Sequence, residues 1–453
     1  MPTNQLTFVN HACFHVANDS TLLLVDPWLE GAVFNNGWSL LDSGSSNAAM
    51  VRELNTRKLN TYIWFSQEHP DHYSVSFIKK LKQDFAGKVT LLFQQTKDKR
   101  VLGFLKKNDF DVIECAPGVV ISLDASMDIT VFPYSDDDSY CLIRSGGRTI
   151  LNLNDCALAS ASSCRAVKAS IAPLAPRIDF LFTQFGYANW VGNPFEPGLR
   201  RRAAADKRAR IGLQMEAFKP SITIPFASFM LFSSIENAYL NDYQNSAYTI
   251  RQWSTLSDAT ETVRFMKPRD VLDLEKATPA STVRMSQSAV DHWEQLGTGG
   301  REALPAEPSL SQSEVAAAFE KHRAEVGANL PGLPWLLEKL GLIKPLTIHI
   351  ADIQLTVRFS YLHGFQVRPI GTSFDISMSS PSAVFLFSNE CGFNTTHVNG
   401  RFRTSGPGAL RRFSRFFLPQ NLGRRGYGIR HPLATASHLA GNVLGRIRAG
   451  AGA

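Results

Sequence analysis

The run Ser66-Gln67-Glu68-His69-Pro70-Asp71-His72 sets two imidazoles and two carboxylates within one short stretch. It follows directly on Thr61–Phe65, an apolar, aromatic run that reads as a strand. A strand that ends in a tight turn can aim several such side chains at one point, which is what a metal site needs. The same residues also suit a plain turn before a helix, with Asp71 serving only as a cap.

The surrounding sequence supplies many short β-branched and aromatic runs to hold such a turn: Leu6–Val9, Thr21–Trp28, Val89–Phe93, Ile129–Phe132, Tyr140–Arg144, Thr149–Leu153, Asp179–Phe182 and Ser221–Phe226. Helical periodicity interrupts them at Ser74–Lys82, Arg100–Lys107 and Gly198–Phe218. This alternation predicts two sheets in a sandwich with helices outside, occupying residues 1–275. Residues 276–311 are rich in Ser, Thr, Gly, Pro and Ala and read as a linker or irregular cover. A helix is predicted over Gln312–Gly327, with Val315, Phe319 and His322 on one face. Alternation returns in Thr347–Leu355, Leu355–Phe359 and Phe374–Met378, so residues 312–420 are expected to form a small α+β domain. Residues 421–453 read as a basic tail.

Several blocks carry a resemblance. Leu6-Thr7-Phe8-Val9-Asn10-His11-Ala12-Cys13, Leu24-Val25-Asp26-Pro27-Trp28-Leu29 and Gly37-Trp38-Ser39-Leu40-Leu41 look like the opening of the catalytic domain of the CMP-N-acetylneuraminate hydroxylase family, a metallo-β-lactamase-type domain. Asp138-Ser139-Tyr140-Cys141-Leu142-Ile143 and Thr149-Ile150-Leu151-Asn152-Leu153-Asn154-Asp155-Cys156 resemble its strand pair that ends on a bridging aspartate. Pro225-Phe226-Ala227 and Lys267-Pro268-Arg269 through Leu274 are similar to its last landmarks. The resemblance implies an αββα sandwich over the first part of the chain, with the smaller α+β domain following it.

It also implies a ligand set for a divalent metal, iron or zinc: His69, Asp71, His72 and Asp155. Asp71 and Asp155 would accept protons, and His11 matches a histidine near the site that would orient substrate. Three positions depart from the family's pattern, with Gln67, Ser135 and Ser234 standing where histidines are expected. One metal rather than two is therefore expected. The run Asp136-Asp137-Asp138 offers either a replacement oxygen ligand or a charged turn. Tyr187, Asn189 and Trp190 suit either the mouth of a site or a core edge. The resembled hydroxylase carries a Rieske domain, which the resemblance does not reach here, so an oxygenase would draw electrons from a separate donor.

Composition narrows the classes. The chain of 453 residues is 44% hydrophobic and 19% charged, enough apolar surface for two packed cores. Its six cysteines form no CxxC pair, which predicts neither a zinc finger nor a disulfide framework and suits a cytoplasmic protein. No stretch has the length and apolarity of a transmembrane segment. The net charge of +7 is concentrated over Arg200–Arg210 and the tail, which suits an anionic small-molecule substrate or a solvated basic helix; no nucleic-acid partner is expected. Three functions fit these readings: a metal-dependent oxygenase of an anionic sugar or sugar nucleotide, a metal-dependent hydrolase of a phosphoester, lactone or amide, and a binding protein whose metal site has decayed.

Overall fold

The computed structural model describes residues 4–134, 138–256, 261–298, 303–424 and 427–428. Ser135, Asp136, Asp137 and nearly all of the basic tail lie outside the described residues. The chain divides into two compact units. The first runs to residue 188 and adds 196–233 and 238–303; the second combines 189–195, 234–237 and the chain from 304 onward.

The first unit's strands are β1 (Gln5–Asn10), β2 (Cys13–Ala17), β3 (Thr21–Val25), β4 (Trp38–Leu40), β5 (Asn60–Phe65), β6 (Val89–Gln94), β7 (Asp111–Cys115), β8 (Val120–Ser122), β9 (Met127–Pro133), β10 (Ser139–Ser145), β11 (Arg148–Asn152), β12 (Phe180–Gln184), β13 (Ile222–Phe226), β14 (Met230–Phe232) and β15 (Val271–Asp273). Its helices are α1 (Asn47–Arg57), α2 (Val75–Asp84), α3 (Arg100–Lys107), α4 (Ala161–Ile171), α5 (Pro197–Phe218), α6 (Ala247–Leu256) and α7 (Val283–Thr298). One sheet has the order β15-β1-β2-β3-β5-β6-β7 and the other β13-β12-β11-β10-β9-β8.

Side-chain alternation sorts the strand residues into layers. Phe8, Phe14, Val25 and Trp64 from the first sheet meet Ile129, Ile143, Phe182 and Ile224 from the second in one buried cluster. Phe14 stacks on Phe182 across this interface at 4.5 Å. The opposite faces are covered too: Leu22, Leu24, Ile63 and Leu91 pack against α1, α2 and α3, while Leu142, Leu151 and Leu181 pack against α4. Central strands such as β3 and β12 are thus apolar on both faces. The result is the expected αββα sandwich.

The predicted linker needs correction over residues 283–298. There α7 buries Ala289, Val290 and Trp293 in the inter-sheet cluster, with Trp293 stacked on Phe229 at 3.8 Å and its Nε1 donating to Met266 O at 2.8 Å. The polar, proline-containing stretch Thr278–Thr282 masks the start of this helix in the sequence.

The second unit contains α8 (Gln312–Asn329), α9 (Leu333–Lys339), β16 (Leu346–Ile350), β17 (Leu355–Ser360), β18 (Gly364–Arg368), β19 (Ile376–Met378), α10 (Ser380–Ser388), α11 (Gly392–Asn399), β20 (Arg403–Thr404), α12 (Pro407–Phe416) and α13 (Leu418–Arg424). Its sheet order is β18-β17-β16-β19-β20. A capping box between Ser311 and Glu314 starts α8 where the sequence places it. Val315, Phe319 and His322 of α8 are buried as expected, in a core rich in phenylalanine.

His322 lies among Phe319, Phe387 and Phe417, with Nε2 3.1 Å from Tyr361 Oη. Burial pushes its pKa down to about 4. In the unfolded chain the ring titrates near 6.5, so between these values unfolding takes up a proton that the folded state refuses. Stability is therefore expected to be flat in this respect above pH ~6.5 and to fall by about 3 kcal/mol as the pH drops to ~4. His322→Gln should remove that slope in urea unfolding followed across this range. The same slope in both proteins would refute the assignment.

Candidate metal centre

The candidate site is built at strand ends of the first unit, and the backbone there is constrained. His11 in the β1–β2 turn, Asp26 after β3, Asn154 after β11 and Ala227 after β13 all have positive φ, between 41° and 52°. Such left-handed conformations are costly for residues other than glycine and concentrate where function requires them. His11 O accepts the Ala227 amide at 2.9 Å, which ties the turn of one sheet to the strand end of the other.

The motif after β5 is fastened at both ends. Ser66 N and Oγ donate to the two oxygens of Asp26 at 2.8 and 2.7 Å. His69 O accepts the amides of His72 and Tyr73, and Ser74 caps α2 through Phe77 N. The turn thereby buries Asp71 and His72 beside His11. His72 Nε2 lies 3.3 Å from Asp71 Oδ2 and 3.2 Å from Asp155 Oδ2, and His11 Nε2 lies 3.6 Å from Asp71 Oδ2. His11, Asp71 and His72 offer ligand atoms that all lie within 4.8 Å of one another.

Around this cluster the polar contacts are directional. His72 Nδ1 is 3.0 Å from Asp26 Oδ2, and Asn154 Nδ2 donates to Asp26 and to Ser66 Oγ. The imidazole is thus oriented by a carboxylate on one nitrogen, leaving Nε2 to face the site, the usual arrangement behind a metal-ligating histidine. Asp155 is held by amides: Gln67 Nε2 donates to Oδ2 at 2.9 Å and Gln184 Nε2 to Oδ1 at 2.7 Å. Lys207 of α5 donates to Gln184 Oε1, which links an ammonium to the same carboxylate.

Charge here is concentrated and buried. Burial would raise the Asp71 pKa, but His72 and His11 hold it well below the ordinary carboxylate range. Asp155 is also lowered, with His72 outweighing burial. Burial would lower the His72 pKa, whereas Asp71, Asp155 and Asp26 raise it well above the usual value. For Lys207, burial outweighs the attraction of Asp155 and brings the ammonium down to about 8. The site thus demands positive charge at the point where His72 Nε2 meets the two carboxylates.

The donor set fits one divalent cation. Both ring nitrogens of His11, Asp71 Oδ1 and Gln67 Oε1 are buried without a hydrogen-bond partner, and a buried polar atom left so costs about 1–3 kcal/mol. His11, Asp71 and His72, with Asp155 beside them, would hold the ion through imidazole nitrogen and carboxylate oxygen, a mixture suited to zinc or iron. Asp26→Asn, which keeps the shape but removes the charge behind His72, is expected to weaken zinc binding about 10–100-fold in a chelator competition titration. Unchanged affinity would show that Asp26 does not orient a ligand.

Four ligands follow from the resemblance, and the structure brings three of them, Asp71, His72 and Asp155, together. The mutually close ligand atoms are those of His11, Asp71 and His72; Asp155 lies outside that set but 3.2 Å from His72 Nε2, and His69 lies outside it with its half-buried ring 6.1 Å from Phe34. His11, expected beside the site, is inside that set. Gln67 is turned onto Asp155. Ser234 belongs to the second unit, where its amide donates to Asn237 and its hydroxyl accepts from Glu236 N. Tyr187 Oη is spent on Leu240 O and Asp242 O, while Asn189 and Trp190 belong to the second unit, with Trp190 stacked on Phe402. In the basic cluster of α5, Arg200 and Arg201 lie over Tyr239 and Tyr243, and Arg208 donates to Asn245. Asp26, Asn154, Gln184 and Lys207 carry parts of the site that spacing does not single out.

Two sheets face to face with helices outside both, and a His/Asp cluster on the turns after β1, β5 and β11, decide the architecture. The first unit is an αββα sandwich with this cluster at its strand ends, the architecture that the resemblance to a metallo-β-lactamase-type domain implies. No family model matches the chain. It is 22% identical over 315 residues to the human inactive cytidine monophosphate-N-acetylneuraminic acid hydroxylase, covering 65% of this chain and 56% of that protein. The chain therefore spans about half the length of this curated relative. Among solved structures it is similar to an isothiocyanate hydrolase from Delia radicum gut bacteria (TM-score 0.42, 9% identity, 59% of this chain and 98% of that one). It is also similar to a metallo-β-lactamase-fold protein from Bacillus subtilis (TM-score 0.38, 11% identity, 59% and 98%).

Proposed function

We propose that the metallo-β-lactamase-fold unit is a metal-dependent enzyme acting on an anionic small molecule, with a sugar or sugar nucleotide as the leading substrate class. The observation that carries this reading is the buried cluster of His11, Asp71 and His72 beside Asp155. A bound zinc or iron ion would supply a Lewis acid and a bound water of lowered pKa, and iron would add oxygen chemistry. Asp71 Oδ1 has no hydrogen-bond partner while both oxygens of Asp155 are occupied, so Asp71 keeps an oxygen open towards a bound ion. Lys207 adds a positive charge behind Asp155, in keeping with an anionic substrate. The sugar-nucleotide class is supported by the sequence similarity to the hydroxylase; oxygenation in that manner would require a separate electron donor.

A second reading is hydrolysis of a phosphoester, lactone or amide, in which Asp71 and Asp155 would help hold the ion and orient water, and no redox partner is needed. Both readings are tested by incubating zinc- and iron-loaded protein with CMP-activated sialic acid and a panel of sugar phosphates, with and without oxygen and reductant. Mass spectrometry would read a gain of one oxygen atom as oxygenation and cleavage without oxygen as hydrolysis. Absence of turnover with either metal across the panel would remove the enzymatic reading for these substrates.

A further inference from the structure

The segment from α9 to Lys344 in the second unit packs Leu337 and Ile343 into the core yet also exposes large apolar side chains. Trp335, Leu336, Leu340 and Leu342 are 47%, 44%, 63% and 60% exposed, whereas the segment's one acidic residue, Glu338, is buried. The Glu338 carboxylate accepts from Ser360 Oγ and from Tyr361 N at 2.7 Å, so it satisfies the β17–β18 turn from inside the unit. What remains outside is a tryptophan, three leucines and the exposed lysines Lys339 and Lys344. Lys339 Nζ lies 4.9 Å from the centroid of the Trp335 ring. Large apolar side chains gathered on a surface mark a binding site, because covering them removes apolar area from water.

The charge pattern selects the occupant. Leucines and a tryptophan rimmed by lysines form the pattern of a segment lying in a membrane interface, with aliphatic stems and ring among the acyl chains and ammonium groups at the headgroups. With Glu338 buried, the exposed charges of this segment are the two lysines alone, complementary to anionic lipid. A second copy docked about a two-fold axis would instead bring the same two lysines towards their own equivalents. No described helix is long and apolar enough to cross a membrane, so contact would be confined to the surface. We propose that α9 and the turn after it dock on an anionic lipid surface through Trp335, Leu336, Leu340 and Leu342, with Lys339 and Lys344 at the headgroups.

The full chain would be sedimented with phosphatidylcholine vesicles, with and without phosphatidylserine. Wild type is expected to bind the anionic vesicles. The Leu340→Ser/Leu342→Ser variant, with every charge retained, should lose at least about tenfold in partition coefficient while melting as wild type does. Lys339→Glu/Lys344→Glu should lose a comparable factor. Failure of wild type to bind would overturn the proposal, as would unchanged binding by the leucine variant, which would assign the attraction to basic surfaces elsewhere. A wild-type dimer in light scattering that the leucine variant converts to monomer, without lipid binding, would overturn it in favour of a second copy.

Discussion

Replacing His72 by alanine is expected to abolish metal binding and turnover together, and to lower the unfolding free energy of the metal-free protein by about 3 kcal/mol. The imidazole is the hub of the site: Nδ1 is 3.0 Å from Asp26, and Nε2 is 3.2 Å from Asp155 and 3.3 Å from Asp71. Three carboxylates outweigh burial and keep the ring protonated in the absence of a metal, so its removal leaves buried negative charge without compensation. His72→Gln restores a neutral donor without the charge and should recover part of the stability but none of the metal. Urea unfolding in the presence of a chelator, paired with a turnover assay, reads both effects. A His72→Ala protein as stable as wild type would mean that the three carboxylates do not depend on this ring.

Arg401→Ala should have an effect of similar size in the second unit. The Arg401 side chain is almost fully buried; its Nε donates to Glu236 and its Nη1 lies 2.9 Å from Glu307. Glu236 and Glu307 come from segments far apart in sequence, one from the short stretch 234–237 and the other from the start of the main stretch of this unit. Arginine suits the position because its planar fork can serve two carboxylates in different directions. Truncation removes the buried guanidinium and frees two partly exposed carboxylates, so about 3 kcal/mol is the expected loss, below the upper end for wholly buried pairs. Arg401→Lys can reach one partner but not both and should fall between. The shift in urea midpoint measures this, and coincident curves for Arg401→Ala and wild type would show that the pair contributes nothing net.

The framework of the site was legible because strands and metal turns have local signatures. Runs such as Thr61–Phe65 and Thr149–Leu153 are apolar enough to be buried on both faces, and the motif at Ser66–His72 follows one of them directly. Relations between distant turns have no such signature. The positive φ at His11 and its carbonyl bond to Ala227 bring that ring to Asp71, a pairing that neither residue's neighbours reveal. The same holds for Asp26 and Asn154, which are 128 residues apart and share one hydrogen bond. His69 stands at the right spacing in the motif, yet its carbonyl serves the next turn while its ring lies near Phe34. Lys207 was visible only as one member of a basic cluster; packing against Gln184 separates it from the arginines that lie over tyrosines. In the second unit, β18 went unforeseen because its residues are mostly half-buried and carry weak alternation.

The proposed function rests on one divalent cation held by His11, Asp71 and His72 beside Asp155, with His69 not required. Metal content by elemental analysis, on protein purified without chelators or a histidine tag, tests it most directly when wild type is compared with His11→Ala, His69→Ala and His72→Ala. Close to one equivalent of zinc or iron per chain is expected in wild type and in His69→Ala, with its loss in the other two variants. Two equivalents in wild type, or metal lost from His69→Ala and retained by His11→Ala, would contradict it.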